Sequence, residues 1–258
     1  MAAALHVEDL GAGVRQLTIA NPDRRNALDD GLVESLARAV AEGTDVRAWL
    51  VRGAGEGAFC SGYDLSRLSR VAPGARLPDE RIGEVFDTLT RHPAPSVALV
   101  TGPAFGAGCE LALTCDFRVG GPKAVFCMPP AKVGVVYALK GLARVTERIG
   151  AGHARFMFLT GRRYGADDAL RMGLLDVLAP TAADAQGEAV ALCRELADAA
   201  PLAVAGMRRG FALLAKAGGT ADEQAEYEVL RRTSFNSDDA AEGRAAILEK
   251  RVPRFHGR

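Results

Sequence analysis

Ser96–Leu111 reads SVALVTGPAFGAGCEL, an apolar run that passes through glycines and a proline into a helix-forming stretch. Ser96–Thr101 has the continuous hydrophobicity of a strand buried on both faces. Gly102-Pro103 and the Gly106-Ala107-Gly108 triplet end it, and a helix is expected from Cys109 to Cys115. A strand, a glycine loop and a helix in that order leave the first-turn N–H groups without intrahelical partners, and the loop can aim them at a ligand. Glu110 falls just inside this helix. There a carboxylate either pairs with the helix dipole or faces the same space as the N–H groups.

The pattern recurs upstream. Val46–Arg52 (VRAWLVR) suits a buried strand, and a glycine-rich loop runs from Gly53 to Gly62, continuing as Tyr63-Asp64-Leu65. Two such loops can converge on one oxygen, which is how an oxyanion hole is built from main chain alone. Around this centre, Leu5–Ala20 reads as two short strands about a turn at Gly11-Ala12-Gly13, and Asn21-Pro22-Asp23 breaks the pattern. Asp29 is placed to cap a helix with Leu32, Leu36 and Val40 on one face. Asp79–Arg91 is amphipathic through Ile82, Val85, Phe86 and Leu89, and Val71–Pro78 has no periodicity and is expected to be a surface loop. Short strands follow near Phe117–Val119 and Ala124–Cys127. From Gly141 the pattern is mostly helical, interrupted at Gly161, Gly165 and a strand within Leu174–Leu178. Four helices fill the remainder, broken near Pro201, Gly218-Gly219 and Ser237-Asp238. The expectation is an α/β core over residues 1–180 and a helical region over 181–258.

Composition narrows the function. The 258 residues are 48% hydrophobic and 25% charged, and 32 basic residues balance 32 acidic ones. No overall basic field recruits nucleic acid or an anionic membrane, so an anionic ligand needs a local cluster. Glycine is enriched, 29 of 258 or about 11%, against roughly 7% in ordinary proteins. Cys60, Cys109, Cys115, Cys127 and Cys193 form no CxxC pair and read as reduced thiols. The start lacks the basic and apolar regions of a signal peptide, and no apolar run reaches the ~18 residues of a membrane span; a soluble, cytoplasmic protein is expected. His6, His92, His153 and His256 are scattered, which excludes a histidine-based metal spacing, and no metal is expected. Gly106–Leu111 starts like a dinucleotide fingerprint, but Leu111 replaces its third glycine and Asp116 is too close to be the ribose carboxylate. Ser61 lacks the G-x-S-x-G frame, and there is no Walker loop.

Several stretches together resemble the crotonase superfamily, the enoyl-CoA hydratase/isomerase family. They are Asn21–Leu28 (NPDRRNAL), Ala58–Leu65 (AFCSGYDL), Pro103–Leu111 (PAFGAGCEL) with Cys115-Asp116, Leu159–Gly161 with Ala166–Leu175, and Ser237–Gly243 with Leu248–Arg251 (LEKR). The resemblance spans nearly the whole chain in order. It implies a spiral of ββα units with a C-terminal helical trimerisation region, often paired into hexamers. It implies an acyl-CoA thioester substrate, coenzyme A entering as part of that substrate with no separate cofactor. The thioester oxygen would be held by the backbone N–H groups of Tyr63 and Ala107, with Glu110 as acid/base. Ala27, Ser61, Gly62, Asp64, Leu65, Gly106, Pro129 and Pro130 would line the substrate path. Arg24, Arg25 and Lys250 would meet the CoA phosphates, although each is also an ordinary surface charge.

The sequence departs from the hydratases at one position. Aligned through Phe126-Cys127-Met128-Pro129, their second glutamate falls on Pro130, which can neither activate water nor deliver a proton. One carboxylate still suffices for double-bond isomerisation. Met128–Tyr137 (MPPAKVGVVY) is similar to methylmalonyl-CoA decarboxylases, in which a tyrosine matching Tyr137 lies near the leaving carboxylate; those enzymes carry histidine where Tyr63 stands. Tyr137 reads equally as a packed aromatic. Hydration, isomerisation, decarboxylation and a non-catalytic CoA-binding role all remain consistent with the residues.

Overall fold

The computed structural model describes residues 3–64, 66, 77–216 and 218–258. Two strands, β1 (Ala4–Asp9) and β2 (Val14–Ala20), form an antiparallel hairpin about the glycine turn. A 3-10 turn over Pro22–Arg24 leads to helix α1 (Asp30–Glu42), whose Asp29 carboxylate accepts from the Leu32 N–H at 2.9 Å as an N-cap. Then follow β3 (Ala48–Gly53), α2 (Pro78–Arg91), β4 (Ser96–Val100), β5 (Pro103–Phe105), α3 (Ala107–Thr114), β6 (Phe117–Gly120) and β7 (Val125–Cys127). Short α4 (Pro130–Val133) and long α5 (Leu139–Thr160), which Gly150 interrupts, precede β8 (Tyr164–Gly165), α6 (Ala166–Met172) and β9 (Val177–Leu178). The chain ends with α7 (Ala182–Asp198), α8 (Pro201–Leu214), α9 (Ala221–Phe235) and α10 (Asp238–Glu249).

The main sheet has the order β1-β2-β3-β4-β6-β9, parallel from β2 onward, and β5-β7-β8 form a second, smaller sheet. Both faces of the main sheet are covered, and side chains alternate between them, as a strand's period of two requires. Trp49, Val51, Ala98 and Val100 enter the core shared with α1, α2 and α3. Ala48, Leu50, Val97 and Leu99 enter a second core with Ala185, Ala189, Cys193 and Ala197 of α7. The helical region expected from residue 181 therefore has two parts. Helix α7 packs on the sheet, while α9 packs on α8 and α10 on α9.

Three local expectations differ from the structure. The helix expected from Cys109 starts at Ala107, because Gly108 serves packing within the helix and does not break it. Its missing Cβ leaves room for the Cys60 carbonyl oxygen, which would lie 2.2 Å from such an atom. The break near Gly165 belongs to a two-residue strand, β8, which pairs antiparallel with β7 and is too short to leave a periodic trace. In the expected surface loop Val71–Pro78, residues 71–76 lie outside the described residues, and Pro78 already opens α2. All five cysteines are buried and free, and burial pushes the Cys60, Cys115 and Cys193 thiols up to about 12. Among the described residues no helix is long and apolar enough to cross a membrane.

Candidate active site

The two glycine loops meet. Cys60 bridges to Ala104: its N–H donates to the Pro103 carbonyl at 3.1 Å, and its carbonyl accepts from the Phe105 N–H at 2.9 Å. On the other edge of the same segment, Leu28 donates to the Gly62 carbonyl at 2.7 Å and accepts from the Asp64 N–H at 2.9 Å. That pairing turns the Tyr63 N–H away from Leu28, toward the side where residues 105–107 lie. Gly62, at φ +101°, makes the approach possible: a Cβ there would sit 2.8 Å from the Phe105 carbonyl oxygen and 3.5 Å from the Ala107 nitrogen. Gly106, at φ +51°, donates to the Cys127 carbonyl at 2.9 Å and turns the chain into α3, so Ala107 supplies a first-turn N–H.

Asn26 braces this loop cluster. It is buried in the left-handed region at φ +58°, and its side-chain amide donates to the carbonyls of Ala54 (3.0 Å) and Ala58 (2.7 Å). Its amide oxygen accepts from the Asn21 N–H at 3.1 Å. Arg24, on the 3-10 turn, is exposed and reaches Asp64 at 3.3 Å; Ser61 Oγ donates to the Arg24 carbonyl at 2.9 Å. Arg25 is exposed in a left-handed conformation beside them, its carbonyl accepting from the Ser61 N–H, and Ala27 is buried beneath. Arg24, Arg25, Ala27, Ser61, Gly62, Tyr63 and Asp64 thus form one cluster with Gly106 and Ala107. Leu65 lies outside the described residues. Lys250 sits elsewhere, exposed at the left-handed C-cap of α10.

Glu110 lies one turn into α3 and is only 3% exposed. Its two carboxylate oxygens have different partners. The Tyr137 hydroxyl donates to Oε2 at 2.6 Å, and Arg144 Nη1 donates to Oε1 at 2.5 Å. Burial pushes the Glu110 carboxyl up, and the Tyr137 and Arg144 contacts pull against that rise. Burial and the neighbouring Glu110 charge hold the Tyr137 hydroxyl well above its ordinary range, so it remains a protonated donor. The Tyr137 ring packs against Phe158 with centroids 5.6 Å apart. Pro130 is buried at the first position of α4, where a missing N–H costs little. Pro129 is half-buried beside it, and the β7 end that precedes both is hooked to Gly106.

Arg144 escaped the sequence reading. It lies 34 residues beyond Glu110 on another helix, and its one local signature, the i, i+4 series Lys140, Arg144, Arg148, is that of any basic helix face. Gly141 was missed for the same reason. A Cβ there would stand 2.3 Å from the Tyr137 ring and 3.0 Å from Glu110 Oε2. The Tyr137–Arg144 segment thus lies over the buried carboxylate and supplies both its partners. Among the described residues no cluster of three His, Cys, Asp or Glu side chains could hold a metal.

The enoyl-CoA hydratase/isomerase family model matches residues 9–258. A probable enoyl-CoA hydratase of Mycobacterium tuberculosis is 36% identical over 245 residues, covering 95% of this chain and 96% of that protein. The carnitinyl-CoA dehydratase of Proteus mirabilis is 30% identical over 276 residues, covering all of both chains. Among solved structures, an enoyl-CoA hydratase of Bacillus anthracis superposes with a TM-score of 0.89 at 26% identity, covering 98% of this chain and 99% of its own. The fold is therefore that of the crotonase-like α/β proteins.

Because the Tyr137 ring and a residue-141 side chain compete for one space, Gly141→Ala should act on the Tyr137–Glu110 bond much as Tyr137→Phe does. Thermal melting should show both single variants destabilised. The double variant should fall short of their sum by about 1 kcal/mol or more, as for residues in contact. Strict additivity would show that the ring clears the methyl group without leaving Glu110.

Proposed function

The chain belongs to the enoyl-CoA hydratase/isomerase family, and from that premise we propose that it shifts the double bond of an enoyl-CoA thioester. The Tyr63 and Ala107 N–H groups hold the thioester oxygen, and Glu110 carries the proton. The observation that carries this reading is the buried Glu110, three residues from Ala107, with a tyrosine and an arginine on its oxygens and proline at the second hydratase position. Starting from a 3-enoyl-CoA, the Glu110 carboxylate takes a proton from C2. The electron pair moves onto the thioester oxygen as a dienolate, which two backbone donors favour over the ground state by roughly 3–4 kcal/mol each. The protonated Glu110 then returns the proton to C4, the pair leaves the oxygen, and the double bond lies between C2 and C3. The proton count balances with one carboxylate, and no water is activated.

Hydration asks for a second group to activate or protonate, and Pro130 supplies none. Decarboxylation would bring a substrate carboxylate beside Glu110, whose charge is already matched by Arg144, and the Tyr137 hydroxyl is directed at Glu110. Arg24 and Arg25, exposed at the rim of the loop cluster, suit the CoA phosphates, and Lys250 would join them only from another subunit or after rearrangement. The helical tail supports an assembly of three or six subunits: Phe211, Leu214, Phe235, Ile247 and Leu248 are 69–83% exposed in the single chain.

With a 3-enoyl-CoA, product followed as the conjugated 2-enoyl thioester should appear with the parent protein. Glu110→Gln should lose at least about a hundredfold in turnover, on the scale of general acid–base catalysis. Near-parent turnover of that variant would contradict the role of Glu110, and binding without conversion across an acyl-CoA panel would mark a CoA-binding homologue instead. Light scattering at micromolar concentration should report three or six subunits; a monomer alone would contradict the assembly.

A further inference from the structure

Glu110 is held by a charge that reaches it from outside its own helix. Arg144 spans two carboxylates: Nη1 donates to Glu110 Oε1, while Nη2 pairs with Asp87 on α2 and donates to the Gly83 carbonyl at 3.3 Å. Asp87 also takes Lys140 at 2.6 Å. Arg144 and Asp87 are largely buried, with side chains 15% and 19% exposed. A guanidinium can serve two acceptors in its plane at once, whereas an ammonium is a point charge on a flexible stem.

We propose that Arg144 is a positioning residue: it keeps Glu110 ionised and aimed, and Asp87 in turn fixes Arg144, so that α2 sets the geometry of a carboxylate it does not itself carry. This rests on the reading of Glu110 as the proton carrier. Spacing supports it, because Asp79, Gly83 and Asp87 recur every four residues along one face of α2. The groups acting on Glu110 are Tyr137 and Arg144 above it, Asp79 from α2 and Cys109 on its own helix, while Asp87 reaches it through Arg144. Arg144 is the cation among them that touches the carboxylate; Lys140 meets Asp87 instead. Removing Arg144 raises the carboxyl pKa, because burial and the Asp79 charge are then opposed by the Tyr137 hydrogen bond alone. A base that must be ionised then works only at higher pH.

The test is the pH dependence of kcat and KM for 3-enoyl-CoA isomerisation, with melting temperature and oligomer size as folding checks. Arg144→Met should move the acidic limb of kcat up by about one pH unit or more. It should cut kcat at least about tenfold at neutral pH and recover part of that at pH 9, with KM within about threefold of the parent. Arg144→Lys, which keeps the charge and serves if the methionine variant does not fold, should hold the limb near its parent position. It should still lose about threefold to tenfold in kcat, because a lysine cannot grip both carboxylates. Asp87→Ala should lower kcat across the whole pH range without raising the limb, since it removes the grip on Arg144 and spares its charge. Parent-like kcat in Arg144→Lys, or an unshifted limb in a folded Arg144→Met, overturns the proposal. Glu110→Gln run alongside separates the two failures. If it is inactive while the Arg144 variants behave like the parent, only the positioning role falls; if it is active, the proton-carrier reading falls first.

Discussion

The site depends on the Cys60 peptide. Its N–H and carbonyl are paired with Pro103 and Phe105, and the same carbonyl oxygen lies where a Cβ of residue 108 would be. That contact forces the start of α3 against the Phe59–Tyr63 segment and leaves only glycine admissible at position 108. Once the two segments are pressed together, Gly62 stands beside the Ala107 nitrogen and Glu110 follows a turn later. The parallel sheet beneath, covered on both faces, gives the joint a rigid base: β4 runs on through Gly102 into β5, and β5 carries Cys60.

The carboxylate is the costly part of this arrangement. Burying Glu110 to 3% exposure penalises its charged form, and a buried charge persists only if paired and hydrogen-bonded. Tyr137 and Arg144 meet that demand from a single segment, Tyr137–Arg144, and Gly141 between them gives the ring its place. Chemistry and packing are therefore coupled here. The groups that pull against the burial penalty also cover the carboxylate, and low exposure strengthens the electrostatic interactions within.

Elements with local signals were legible in the sequence. The hairpin at Gly11–Gly13, the Asp29 cap and the buried face of α2 at Ile82, Phe86 and Leu89 rest on turn residues, a side-chain acceptor and helical spacing. The strand and glycine loop at Ser96–Gly108 could be read because buried parallel strands are continuously apolar. Where tertiary contact overrules local preference, the reading falters. Gly108 looks like a helix breaker and is a packing residue, and β8 exists only because β7 is there to pair with it. At the candidate site, the glycine motifs and family likeness pointed to Glu110, Tyr63 and Ala107, which the structure brings into one region. Arg144 and Gly141 were not, because their importance lies in what they touch across the fold and nothing in their own neighbourhood marks it.

Enolate formation is the central claim, and it can be measured without any complete reaction. A saturated acyl-CoA incubated with the protein in D2O should exchange its C2 protons for deuterium, followed by NMR or mass spectrometry, because proton removal to Glu110 needs only the oxyanion donors. Ala107→Pro removes one N–H at a helix start that tolerates proline. If it folds and assembles like the parent, it should exchange about a hundredfold more slowly, the equivalent of roughly 3 kcal/mol. Absence of exchange by the parent protein, or exchange at the parent rate by a folded Ala107→Pro, would contradict the account.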